Sequence, residues 1–220
     1  MKKKLFTVAS FLVASLLSVN VFAQSFKDEI DAFKKLDNAT FPAKHQILFE
    51  GSSSFRKWTD VQQYFPSHKI INRGFGGSTL PDVIRYADEI IFSYQPKQII
   101  IYCGENDIAS SDTITAQIVL KRYRQLFFLI RSKLKNVEID FVSIKPSPSR
   151  IKFLETVKQS NQLIKDFIAA QKNAKFINVF DAMLNADGSI KQEIFVEDNL
   201  HMNAKGYAIW QKIIEPYLKK

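Results

Sequence analysis

Gln98-Ile99-Ile100-Ile101-Tyr102-Cys103-Gly104-Glu105-Asn106-Asp107 is the stretch that decides the fold. Its first part is a short apolar run rich in β-branched residues, the pattern of a strand buried on both faces. It stops at a glycine followed by polar residues. Two other segments are built alike. Ile47-Leu48-Phe49 leads into Gly51-Ser52-Ser53-Ser54. Lys69-Ile70-Ile71 leads into Asn72-Arg73-Gly74-Phe75-Gly76-Gly77-Ser78. The chain has 7 glycines, and most of them sit in these three motifs, where glycine opens backbone conformations closed to other residues.

Strand-like runs are predicted at Gln46–Phe49, Lys69–Ile71, Gln98–Tyr102, Val137–Ile144 and Lys175–Val179. Helical patterns lie around and between them, at Phe26–Lys35, Pro81–Phe92, Thr115–Leu134, Ile151–Gln171 and Ala204–Leu218. Pro81 suits a first helical position and Asn203 an N-cap. Alternation of this kind predicts an α/β fold, a three-layer α/β/α sandwich around a central five-stranded parallel sheet. Ligands of such sheets bind beyond the carboxyl ends of the strands, where the glycine motifs lie.

The N-terminus reads differently. Lys2, Lys3 and Lys4 precede an apolar stretch, Leu5–Val19, and Val21-Phe22-Ala23 offers small residues for a signal peptidase. Residues 1–23 are predicted to be a secretory signal peptide, leaving residues 24–220 as one domain in the bacterial periplasm or outside the cell. An uncleaved membrane anchor is the alternative. With cleavage after Ala23, no stable membrane insertion is expected, and no cysteine lies near the cut to carry a lipid. The formal net charge is +9. The lysines are scattered, no nucleic-acid motif is present, and the balance hints only at anionic surroundings such as an envelope polymer. Cys103 is the only cysteine, so an intrachain disulfide is excluded. In an apolar strand it reads as an inert buried thiol rather than a nucleophile.

Four polar clusters carry candidate chemistry. Gly51-Ser52-Ser53-Ser54 places serines at a strand end, either as a nucleophile or as a helix cap. Phe55 stands where a nucleophile elbow would have its second glycine. Asn106 could donate its amide to a developing oxyanion, or could serve an ordinary turn. Asn72–Ser78 could add backbone N–H groups, but it lacks both dinucleotide-binding spacing and a phosphate-loop lysine. Asp198-Asn199-Leu200-His201 sets a carboxylate three residues before an imidazole, close enough to fix a tautomer. His45 and His68 lie in loops without an obvious carboxylate partner. No cluster has metal-ligand spacing, so no metal or organic cofactor is expected.

Taken in order, these four clusters resemble the SGNH hydrolases, or GDSL esterase/lipase family, from Leu48 to the last helix. The resemblance implies a flavodoxin-like sheet and assigns a role block by block. Ser53 of Gly51-Ser52-Ser53 becomes the nucleophile, with Ser52 in place of the family's aspartate and Ser54 as a rival. Gly77 and Asn106, with the Ser53 N–H, become the oxyanion hole. His201 becomes the base and Asp198 its orienter. The implied activity is hydrolysis of small acyl esters, acetyl above all, on small molecules or glycans. Lipase or lysophospholipase action, an acyltransferase, and a non-catalytic glycan-binding protein are the alternatives. Arg73, Arg85, Asp82, Asp107, Lys145 and Trp58 are secondary candidates near the motifs.

Overall fold

The computed structural model describes residues 26–220. The predicted signal peptide lies outside the described residues. Residues 26–39 form a helix, α1, in a unit distinct from Pro42–Lys220. Lys27 and Asp31 pair one turn apart on it.

Within Pro42–Lys220 the sheet has five parallel strands. They are β1 (Ile47–Gly51), β2 (Ile70–Asn72), β3 (Gln98–Tyr102), β4 (Glu138–Val142) and β5 (Ala174–Ile177), in the spatial order β2-β1-β3-β4-β5. The order reverses between β1 and β3. Chains leaving those two strands diverge to opposite faces and leave a crevice, the usual binding place of a doubly wound sheet. Register pairs Gly51 with Tyr102, so the two strands reach that crevice at the same level. Gly51 is required there. Its φ is +141°, and a Cβ would fall 1.9 Å from the Tyr102 carbonyl oxygen.

All five residues of β1, β3 and β4 are buried, as strands covered on both faces must be. On one face Phe49, Ile100 and Tyr102 pack with Phe55, Trp58, Tyr207 and Trp210. The last two belong to α9 (Ala204–Ile214). Trp58 stacks on Tyr207 at 4.7 Å, which makes it a core residue rather than a pocket wall. On the other face Tyr123 of α7 (Ala116–Lys133) meets Phe141 of β4 at 4.7 Å. Phe127 of α7 meets Phe167 of α8 (Leu154–Ala169) at 5.3 Å. These contacts complete the three predicted layers.

Element ends differ from the sequence reading for identifiable reasons. β4 stops at Val142 because both backbone groups of Ile144 bond the Asn161 side chain, at 2.8 Å each, instead of a strand. The helix predicted over Pro81–Phe92 breaks at Tyr86 into α4 (Leu80–Arg85) and α5 (Ala87–Ile90). α8 begins only at Leu154, after a 3-10 turn over Pro148–Phe153 with a kink at Arg150. α9 ends at Ile214 because Pro216 has no N–H to continue it. Asn203 caps α9 as expected, accepting from Lys205 N at 2.9 Å. Short helices α2 (Ser53–Arg56), α3 (Val61–Tyr64) and α6 (Glu105–Ala109) have no counterpart in the sequence reading.

Candidate active site

Ser53 opens α2 directly after β1 and Ser52. Its N–H is at the first helical position, where no intrahelical acceptor exists. Ser52 and Ser54 are both buried, whereas Ser53 is partly exposed. The turn is clamped from several sides. Asn72 Nδ2 donates to Phe55 O at 2.7 Å, and Tyr207 Oη donates to Ser54 O at 2.8 Å. Phe75 N and Ser78 Oγ both donate to Gly51 O. The glycine-rich loop after β2 is therefore fastened to the serine turn.

The loop before α9 closes on itself. Phe195 and Met202 bridge as antiparallel neighbours, and Val196 N donates to His201 O at 2.9 Å. Asn199 turns the chain with φ +53°. Asp198 Oδ1 accepts from Leu200 N at 2.9 Å and His201 N at 2.8 Å, and Oδ2 lies 2.6 Å from His201 Nδ1. Burial alone would raise the Asp198 pKa, but the His201 side-chain bond and these two N–H groups hold it well below the usual carboxylate range. An ionised carboxylate only accepts, so Nδ1 carries a proton and the neutral ring presents the Nε2 lone pair. Nε2 lies 2.9 Å from Ser53 Oγ. Ser53, His201 and Asp198 thus form one hydrogen-bonded line, and Ser54 is not part of it.

Asn106 lies in α6, immediately after β3. Its Nδ2 donates to Ser78 O at 3.0 Å, and its Oδ1 accepts from Arg150 Nη2 at 2.9 Å. An amide has two N–H groups, so one remains beyond the Ser78 bond. Gly77 precedes Ser78 on an exposed turn with φ +73°. The second and third blocks are therefore in direct contact, and the second is tied to the first through Ser78 and Gly51.

The secondary candidates have structural partners. Asp107 is buried and accepts from Leu80 N at 2.9 Å and Arg122 Nη1 at 2.8 Å, joining the two loops from beneath. Burial outweighs those bonds and raises its pKa. Asp82 accepts from Thr79 N and Thr79 Oγ1 at the start of α4. Arg73 donates to Tyr94 Oη at 2.6 Å, and Arg85 is exposed. Lys145 is buried against Glu105. Burial pushes the Cys103 thiol up, with Asp107 adding to it, so the thiol stays protonated. The reading of His68 needs correction: its Nε2 lies 3.1 Å from Glu215 Oε1, a partner 147 residues away that local sequence could not reveal.

Sequence reading missed Glu105, Ser147 and Arg150. Glu105 accepts from Tyr102 Oη at 2.6 Å and Ser147 Oγ at 2.5 Å, and is paired with Lys145. Burial would raise its pKa, but Lys145 and Arg150 outweigh that and lower it. The available signal was a charged residue, Glu105, in a block that needed only Asn106. Among the described residues no group of three or more His, Cys, Asp or Glu side chains could hold a metal ion. None of their helices is long and apolar enough to cross a membrane.

The profile of the GDSL-like Lipase/Acylhydrolase family matches residues 44–209. No curated protein sequence matches the chain. Among solved structures, a Streptococcus pneumonia protein named provisionally as a platelet activating factor superposes with TM-score 0.80. It is 23% identical, with 94% of this chain and 99% of that one covered. A GDSL-like lipase from Bacteroides thetaiotaomicron gives TM-score 0.70 at 18% identity, covering 86% and 97%. A mutant acetyl-xylooligosaccharide esterase from Geobacillus gives 0.62 at 14%, covering 81% and 96%. At these identities the likeness establishes a shared fold.

Proposed function

The chain belongs to the GDSL-like lipase/acylhydrolase family and is a carboxylic ester hydrolase, and on that premise we propose that it removes small acyl groups, acetyl above all, by covalent catalysis at Ser53. The observation that carries this reading is the line from Asp198 through His201 to Ser53, with contacts of 2.6 and 2.9 Å. His201 Nε2 takes the Ser53 proton as Oγ attacks the ester carbonyl. The negative charge moves to the carbonyl oxygen, which the Ser53 and Gly77 N–H groups and the Asn106 amide stabilise. Collapse breaks the bond to the alcohol, which leaves with the proton from His201. A water then gives its proton to His201 and attacks the acyl-enzyme; the bond to Ser53 Oγ breaks, Oγ takes the proton back from His201, and the carboxylic acid leaves. No metal or organic cofactor takes part in these steps.

The openness of the site supports a small acyl group. Asp198 has 43% of its side chain exposed, and Gly77 is exposed too. A shallow site of this kind gives little apolar cover to a long chain. The Geobacillus neighbour acts on acetyl-xylooligosaccharides, and by analogy we place acetylated glycans first among natural substrates. Exposed Ile151 and Val196 favour a second reading, a longer acyl or lysophospholipid substrate resting on those side chains. The basic, apolar N-terminus supports export, with residues 24–220 acting in the periplasm or beyond it.

A series of p-nitrophenyl esters from acetate to laurate tests the reading. The expected kcat/KM is highest for acetate and falls beyond butyrate, and acetylated xylo-oligosaccharides are deacetylated. A maximum at long chains would favour the lipase reading. No turnover of any ester by folded protein would leave glycan binding.

A further inference from the structure

Arg150 lies 44 residues from Asn106 in sequence, yet its Nη2 donates to Asn106 Oδ1 at 2.9 Å. The amide is thereby held from both ends. Ser78 O can only accept, and the guanidinium can only donate. Turning the amide over would set two acceptors against each other at Ser78 and two donors at Arg150. Only one orientation satisfies both neighbours, and it keeps Nδ2 on the side of Ser78 and Gly77.

Arg150 is itself placed by buried charge. Its Nη1 makes no hydrogen bond and lies 3.8 Å from Glu105 Oε1. Glu105 is held by Lys145, Tyr102 and Ser147, all buried. With Glu105 ionised, two cations face one anion, leaving net positive charge behind Asn106. The Arg150 turn also reaches the other half of the site, since Ser149 N donates to Asn199 O at 3.0 Å.

We infer that Arg150 is a positioning residue for ester hydrolysis: it fixes and polarises the Asn106 amide for the oxyanion, seated on the buried Glu105–Lys145 pair. This rests on the oxyanion role of Asn106 proposed above. A guanidinium on the carbonyl oxygen of an amide draws electron density from its nitrogen and strengthens the N–H as a donor. The benefit grows as charge develops on the substrate, so it belongs to kcat rather than KM.

A double-mutant cycle with p-nitrophenyl acetate tests this. Arg150→Met is expected to lower kcat by about 10-fold to 100-fold, less than removal of the donor itself, with KM within about 3-fold of wild type. Arg150→Lys, which can still donate to Asn106 Oδ1, recovers part of the loss. In an Asn106→Ala background, Arg150→Met costs less than about 2-fold, because the group it acts through is gone. Urea midpoints check folding, and Arg150→Gln, too short to reach Asn106, replaces the Met variant if that one does not fold. If Asn106→Ala alone turns over at the wild-type rate, the oxyanion reading fails and takes this inference with it. If Asn106→Ala is slow but Arg150→Met is not, only the inference falls. Equal losses in both backgrounds, or a loss confined to KM, place Arg150 on the substrate and overturn it.

Discussion

Ser53 Oγ and His201 Nε2 lie 2.9 Å apart although 148 residues separate them. Of the three consecutive serines, Ser53 is the one in this contact, and it is the proposed nucleophile. Ser53→Ala is expected to lower hydrolysis by about 10⁴-fold or more, since it removes the attacking atom itself. Ser54→Ala should keep most activity, because the Ser54 contact in this region is through its backbone carbonyl. Mass spectrometry of protein treated with an organophosphonate is expected to find the adduct on Ser53. An adduct on Ser54 would contradict the geometry.

Asp198 and His201 divide the acid behaviour between them. The His201 hydrogen bonds keep Asp198 ionised far into acid, despite the opposing effect of burial. On the proposed mechanism a protonated imidazole cannot accept the Ser53 proton, so activity is expected to fall in acid. Since Asp198 does not protonate in the same range, log kcat/KM is expected to fall with a slope of about one down to about pH 4. A slope of two would mean that the carboxylate titrates with the ring. His201→Ala should also cost more than Asp198→Asn, as one removes the base and the other only its orienter.

The Asn106 amide touches Ser78 O at 3.0 Å, beside Gly77, and has a second N–H, which the proposed mechanism gives to the substrate oxygen. Asn106→Ala is expected to lower kcat by about 10²–10³, with a much smaller change in KM. Steady-state kinetics on a short aryl ester, with a melting curve as the folding control, make the measurement. A folded variant at wild-type rate would reduce Asn106 to a turn residue.

The parts legible in sequence were those whose chemistry is local. Apolar runs marked all five strands, most plainly β1, β3 and β4, where burial on both faces leaves no polar alternation to confuse the reading. Gly51 and Asn106 stood out as a glycine and an amide after apolar runs, and Asp198 and His201 as a carboxylate three residues before an imidazole, a set with few other uses together. The register within Ser52-Ser53-Ser54 was not legible from the residues alone, since only the position of His201 distinguishes the three. Arg150 and Glu105 were invisible for a related reason: Arg150 to Asn106 and Ser147 to Glu105 span 44 and 42 residues, and an isolated arginine or glutamate usually means surface. Helices of four or five residues, such as α2 and α6, are too short to show a 3.6-residue period.

Asp140 supplies a prediction about stability remote from the site. It is fully buried in β4. Its Oδ2 accepts from Gln98 Nε2 at 2.6 Å, while Oδ1 has no partner. Burial raises its pKa to about 7, with nearby Glu138 adding to the rise and the Gln98 bond opposing it. Below about pH 4 the folded and unfolded chains both hold the proton, so this group adds no pH dependence. Between about pH 4 and 7 the unfolded chain has released it and the fold has not, so stability falls as pH rises through that window. Above about pH 7 both are ionised, and the cost levels off at roughly 4 kcal/mol. Asp140→Asn keeps the shape and an acceptor for Gln98 but cannot ionise. It is expected to flatten this part of the profile and to be more stable than wild type at pH 8 by about 2 kcal/mol, short of the full amount because the new amide leaves an N–H unpaired. Urea unfolding from pH 4 to 8 measures both chains. If the two profiles run parallel across that range, Asp140 is ionised in the fold well below neutrality, and its buried Oδ1 has a partner.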